Sequence, residues 1–175
     1  MNRNRVLLKL VLDAIGFGNI DISEFASRKI LQKKIYLLQL TGIDLGYRYN
    51  WYLKGPYCPS LAGDAFSLKE EVGYDKEYEK YELNSETKQK VSILEKIENL
   101  PDSPQATEDE WLELVASLHY LKHIAYWGGK NNPGFEEVFQ KLIESKPHFS
   151  GKKDLADLAW GRLNEVGLIE NKTLA

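Results

Sequence analysis

Cysteine is nearly absent: Cys58 stands alone among 175 residues, so no disulfide can form within the chain. This excludes a disulfide-stapled secreted scaffold and makes a reducing cytoplasm the simplest expected compartment. Long apolar runs are also missing, and none reaches the ~18 residues that a membrane-spanning helix needs. The apolar run that starts at Val6 is broken by Lys9 and Asp13 and meets no small-residue cleavage site, so it reads as an amphipathic helix and not as a signal peptide. Histidine is scarce. His119 and His123 share a helix face, but Tyr120 stands where a metalloprotease helix carries its glutamate, and His148 is a remote third ligand. No glycine-rich phosphate loop is legible, and no base can be paired with Cys58. The expectation is therefore a non-catalytic chain with no catalytic residue, no metal ligand and no cofactor.

What is present is ordinary in bulk and uneven in distribution. Hydrophobic residues make up 43% of the chain, enough for one domain with a real core. The net charge of -3 hides a gradient. Residues 1–60 hold nine Lys/Arg against four Asp/Glu (+5), residues 61–110 six against fourteen (-8), and residues 111–175 eight against eight. A basic first third can mark nucleic-acid binding, although pairing of complementary surfaces within the chain is the commoner outcome.

Caps and breakers divide the chain. The spacing predicts helices over 4–15, 24–41 (with Ser23 as N-cap and Gly42 as stop), about 60–72, 86–99, 108 to about 127, 135–145 and 153–166. Thr107 and Glu110 form a capping-box pattern, and Pro101 to Thr107 is the best linker candidate. Residues 46–53 alternate as a strand, with Tyr47, Tyr49 and Trp51 on one face and Arg48, Asn50 and Tyr52 on the other, and Gly55-Pro56 turns the chain. A second short strand is expected over 77–83. The predicted class is α+β and predominantly helical. A winged-helix-like core over 1–100 is followed by a helical extension over 101–175, packed on it as one compact unit.

The segment 31–36, Leu-Gln-Lys-Lys-Ile-Tyr, is followed by Gly42, an aromatic strand, Gly55-Pro56-Tyr57, and then Leu61 and Asp64. In that order these motifs resemble the YwgA-like family and, more distantly, the Panacea (SocA-like) antitoxin domain family. The resemblance covers roughly the first 100 residues. It implies a mostly helical domain without known catalysis that works by binding a protein partner, for Panacea antitoxins a toxin. The chain departs from the family pattern at Lys34, where an apolar residue is usual, and at Cys58, where Ser is frequent.

The candidate partner-binding residues are Arg28, Lys29, Gln32, Lys33, Tyr36, Tyr52 and Tyr57. Gln32 and Tyr36 lie opposite the apolar stripe of the second helix, so they form either a recognition face or bonds to the adjacent strand. The strand aromatics read either as a stacking platform or as core, with Tyr52 and Tyr57 the exposed members. Lys34 falls within the apolar arc and, if buried, takes Asp64 as its expected partner. Two functional readings follow. One is a protein-interaction module, antitoxin-like or adaptor, that binds and neutralises or delivers a partner. The other is a winged-helix-type DNA-binding regulator, with a pI of about 5.7 against it. No membrane partner is expected, and the oligomeric state stays open.

Overall fold

The computed structural model describes residues 1–104 and 106–170. Its elements run α1 (Arg3–Ala14), α2 (Phe25–Leu40), β1 (Asn50–Tyr52), β2 (Gly55–Tyr57), α3 (Pro59–Glu71), a 3₁₀ turn (Glu77–Lys80), α4 (Ser85–Glu98), α5 (Glu108–His123), α6 (Phe135–Ser145), a second 3₁₀ turn (Pro147–Phe149) and α7 (Lys153–Glu165). The predominantly helical α+β class stands, with seven α-helices and one two-stranded antiparallel sheet among the described residues. Among these residues no helix is long and apolar enough to cross a membrane.

Two helices organise the packing. Eleven of the sixteen residues of α5 are buried, and it packs against α2, α4, α6, α7 and β2. The helix starts with three acidic residues, Glu108, Asp109 and Glu110, and ends with Lys122 and His123, which suits its dipole at both ends. One continuous apolar core, including Leu8, Leu12, Ile35, Leu38, Leu61, Leu94, Trp111, Leu114, Leu118, Leu142 and Leu163, joins α1–α4 to α5–α7. Burying side chains of this kind contributes about 1.5–3 kcal/mol each before chain entropy is subtracted.

Several local expectations are corrected. Residues 77–83 are not a strand. Glu77–Lys80 is a 3₁₀ turn, in which Lys80 Nζ sits 2.6 Å from Glu77 at the i,i+3 spacing that such a turn brings into line. Strand pairing covers only Asn50–Tyr52 of the predicted 46–53. The preceding segment is held by a side chain instead: Gln39 Oε1 accepts from the amides of Leu45 and Tyr47, and its Nε2 donates to the Tyr47 carbonyl. Helix α2 starts after Glu24 and not after the expected cap Ser23, whose Oγ donates to Asp21 at 2.6 Å in the loop before the helix. Thr107 is the N-cap residue of α5 but forms no capping box: its hydroxyl accepts no bond from the first-turn amides and points its proton at Asp109, 2.7 Å away. Helix α5 stops at His123, four residues early, where the indole N–H of Trp127 folds back onto the Leu121 carbonyl at 2.7 Å. Gln105, inside the expected linker, lies outside the described residues.

Candidate functional site

The polar side of α2 is not a solvated face. Nine of its sixteen residues are buried, among them Lys29, Gln32, Lys33, Lys34 and Tyr36. The β1–β2 hairpin and α5 cover it. Gln32 clamps Cys58 through both sides of its amide, donating to the Cys58 carbonyl and accepting from the Cys58 amide, each at 2.9 Å. One residue on, Lys33 Nζ donates to the Pro56 carbonyl at 2.6 Å. One turn further, the Tyr36 hydroxyl meets His119 Nδ1 at 2.7 Å. Positions 32, 33 and 36 therefore fasten α2 to the hairpin and to α5. Neither side chain forms the expected bond to the strand at 46–53: Gln32 holds Cys58, just past β2, and Tyr36 reaches a histidine.

The chain turns at Leu53-Lys54 and not at the expected Gly55-Pro56, which lie in β2 opposite Tyr52 and Trp51. Glycine is still required at position 55. Its φ of +88° lies in the left-handed region, and a Cβ there would sit 2.7 Å from Ser117 Oγ on α5. The close approach lets Lys33 reach the Pro56 carbonyl. The turn residues Leu53 and Lys54 project from the hairpin tip, and Leu53 is 82% exposed. Its carbonyl accepts from Lys146 Nζ.

Beneath the hairpin lies a buried charge cluster centred on Glu113, which is 1% exposed. Its carboxylate accepts from Lys29 at 2.8 Å and from Lys146 at 3.1 Å, with His148 Nε2 3.7 Å away. Lys29 also pairs with Asp109 at 2.8 Å. Burial disfavours the ionised form of every member. For Glu113 the lysine partners outweigh burial and hold its pKa below the usual value; for Lys29 the carboxylates of Asp109 and Glu113 outweigh it and hold the ammonium pKa up. For Lys146, burial wins over Glu113 and its pKa falls. Lys33 differs from the others. It is 1% exposed, and among the described residues no carboxylate lies within ion-pair distance of it. Burial, with Lys146 and Lys29 nearby, pulls its pKa down to about 7 against the pull of Glu113.

A cleft of about 520 Å³ opens between the first half of α2, the hairpin and α3. Arg28, Lys29, Gln32, Lys33, Tyr52 and Tyr57 all line it. Tyr36, nominated with them, does not. It is buried behind the hairpin, edge-on to Tyr49 and His119. Tyr52 is exposed, Tyr57 is half-buried, and their rings meet edge to face at 5.2 Å. The same cleft contains residues not nominated from the sequence. Phe25 (58% exposed), Leu53 (82%) and Phe66 (54%) stand around its mouth. Phe66 falls off the buried stripe of α3, Leu61, Ala65 and Leu68, and an apolar Leu53 occupies a hairpin tip where Asn or Gly is usual. Those two anomalies were the available signals.

The remaining candidates have structural partners. Lys34 is buried and pairs with Glu98 at 3.1 Å and Glu108 at 3.4 Å; the expected partner, Asp64, instead takes the Tyr47 hydroxyl at 2.9 Å and Arg5 at 3.4 Å. His119 is buried against Tyr36, and burial drops its pKa to about 3; His123 is exposed, and its Nε2 contacts the Leu168 carbonyl at 2.7 Å. Cys58 is buried with its Sγ 3.1 Å from Ser60 Oγ. Among the described residues no group of His, Cys, Asp and Glu could hold a metal ion. The chain matches no protein-family model, no curated protein and no solved structure.

Proposed function

We propose that this chain is a non-catalytic protein-interaction module, antitoxin-like or adaptor, that docks a segment of a partner protein in the cleft between α2, the hairpin and α3. The observation that carries the reading is the rim: Phe25, Tyr52, Leu53 and Phe66 are all large, all exposed and all on one concavity. Scattered exposed apolar residues are normal, but a cluster around a cleft is the mark of an interaction site. The cleft is large enough for one or two side chains of a docked segment.

The rim favours a protein over a nucleic acid. Phosphate contacts draw on runs of exposed cations, whereas the exposed large residues around this cleft are Phe25, Tyr52, Leu53 and Phe66, and Arg28 is tied to the carbonyls of Ile22 and Ser23. The antitoxin-like or adaptor role is what the resemblance to the YwgA-like and Panacea families implies. Co-purification from the native host tests the reading. The wild-type chain retains a stoichiometric partner, and Leu53→Ser with Phe66→Ser loses it while keeping its fold by circular dichroism. A clean monomer in both cases, or equal retention by both, refutes it.

A further inference from the structure

We infer that Lys33 reads a carboxylate on the docked segment, so that the cleft selects an Asp or Glu side chain with apolar neighbours. This deepens the docking reading and rests on it. Lys33 is a buried cation with donors to spare. An ammonium has three donors, and Lys33 uses one, on the Pro56 carbonyl. Among the described residues no second acceptor lies within hydrogen-bond distance of its Nζ, although Ser117 Oγ is buried nearby without a partner. The Glu113 carboxylate already accepts from Lys29 and Lys146, and Asp109 is engaged by Lys29. Three ammonium groups (Lys29, Lys33, Lys146) thus face two carboxylates (Glu113, Asp109), leaving one positive charge in excess. The excess falls on Lys33, which lines the cleft.

A buried cation without a counter-charge lowers stability, and proteins keep such groups mainly where function uses them. An acid entering this cleft would leave water for a low-dielectric pocket already biased to receive it, with Lys54 adding positive charge at the wall. The rim supplies contact area and Lys33 supplies the choice of partner. A macromolecular segment is favoured over a free small acid because Phe25, Leu53 and Phe66 extend outside the cavity, where a small molecule would leave them wet. A second cleft among the described residues, about 560 Å³ between α1 and residues 77–87, has no such feature, since none of the polar side chains lining it is buried.

The test uses the full chain and a displayed library of random dodecapeptides. Selection on the wild type should enrich peptides that carry Asp or Glu flanked by Leu, Phe or another large apolar residue. A synthetic peptide of that sequence should lose affinity by about 30-fold or more when its acid becomes Ala, and similarly against Lys33→Met. It should also lose affinity for Leu53→Ser with Phe66→Ser. Should Lys33→Met fold poorly, the wild type still decides: the ¹⁵Nζ resonance of Lys33 shifts on adding the acidic peptide and stays put with its Ala version. Peptides that need the rim but bind Lys33→Met within about twofold, or carry no acid, overturn the role of Lys33 and leave the docking reading standing. Failure to enrich any rim-dependent peptide, including one displaced only by phosphate or nucleic acid, overturns both.

Discussion

Replacing Lys33 with Met should make the protein more stable at pH 6 and should have the opposite effect at pH 10. The pKa of Lys33 falls from 10.5 to about 7 on burial. That shift of about 3.5 units corresponds to about 5 kcal/mol of disfavoured charge burial. Below pH 7 the amine is protonated in both folded and unfolded chains, so the native state carries the whole penalty. Between pH 7 and 10.5 the native state sheds the proton while the unfolded chain keeps it, and wild-type stability rises with pH. Above 10.5 both forms are neutral and the penalty is gone. Met is unbranched and one atom shorter than Lys; it fills most of the same space but leaves the Pro56 carbonyl without its donor, at a cost of about 1–3 kcal/mol. Lys33→Met should therefore gain about 2–4 kcal/mol at pH 6; at pH 10, where about 0.8 kcal/mol of the penalty is left, it should lose up to about 2 kcal/mol. Urea unfolding of both proteins at the two pH values reads this difference, and shared titrations largely cancel in the comparison. A Met variant that is less stable at pH 6, or a difference that does not move with pH, refutes the account of Lys33 as an uncompensated buried cation.

Other substitutions separate scaffold from surface. Glu113→Gln removes the carboxylate shared by Lys29 and Lys146 and should destabilise by about 3–5 kcal/mol at neutral pH in urea melts. Because Glu113 titrates below its ordinary 4.5 in the native state, its contribution is present above that value, and the gap between variant and wild type should close as pH falls through the lowered native pKa. Gly55→Ala forces a side chain at a φ of +88° and against Ser117 Oγ, and should lower stability by about 1–3 kcal/mol in thermal melts; a loss under about 0.5 kcal/mol contradicts the packing described for the hairpin. Leu53→Ser with Phe66→Ser should change stability by less than about 1 kcal/mol, since both side chains are more than half exposed.

Much of the helical frame was readable because its signals are local. Gly42 ends α2, Pro59 opens α3, and Asn84 caps α4 by accepting from the Thr87 amide. Period-2 burial at Tyr47, Tyr49 and Trp51 also follows the residues, even though only three positions pair as strand. What local signals could not supply was what covers a polar helix face. Arg28, Gln32, Lys33 and Tyr36 look alike on a helical wheel whether water or a hairpin lies over them, and here the hairpin buries all but Arg28. The partners of Lys34 illustrate the same limit. Glu98 and Glu108 are more than sixty residues away, and only the packing of α2 against α4 and α5 brings them within reach. The cleft rim was hidden for a related reason. Phe25, Leu53 and Phe66 come from three different elements, and the local anomalies of Leu53 and Phe66 do not say that the three side chains meet around one cleft.

The most direct test of the docking cleft is site-specific photo-cross-linking in the native host. A benzophenone amino acid is placed at Leu53, on the rim, and in a second strain at Tyr126, which is 85% exposed and does not line the cleft. The account predicts one adduct of defined mass from position 53, containing a single partner protein, and no such adduct from position 126. Adducts of equal yield from both positions, or none from position 53, contradict it.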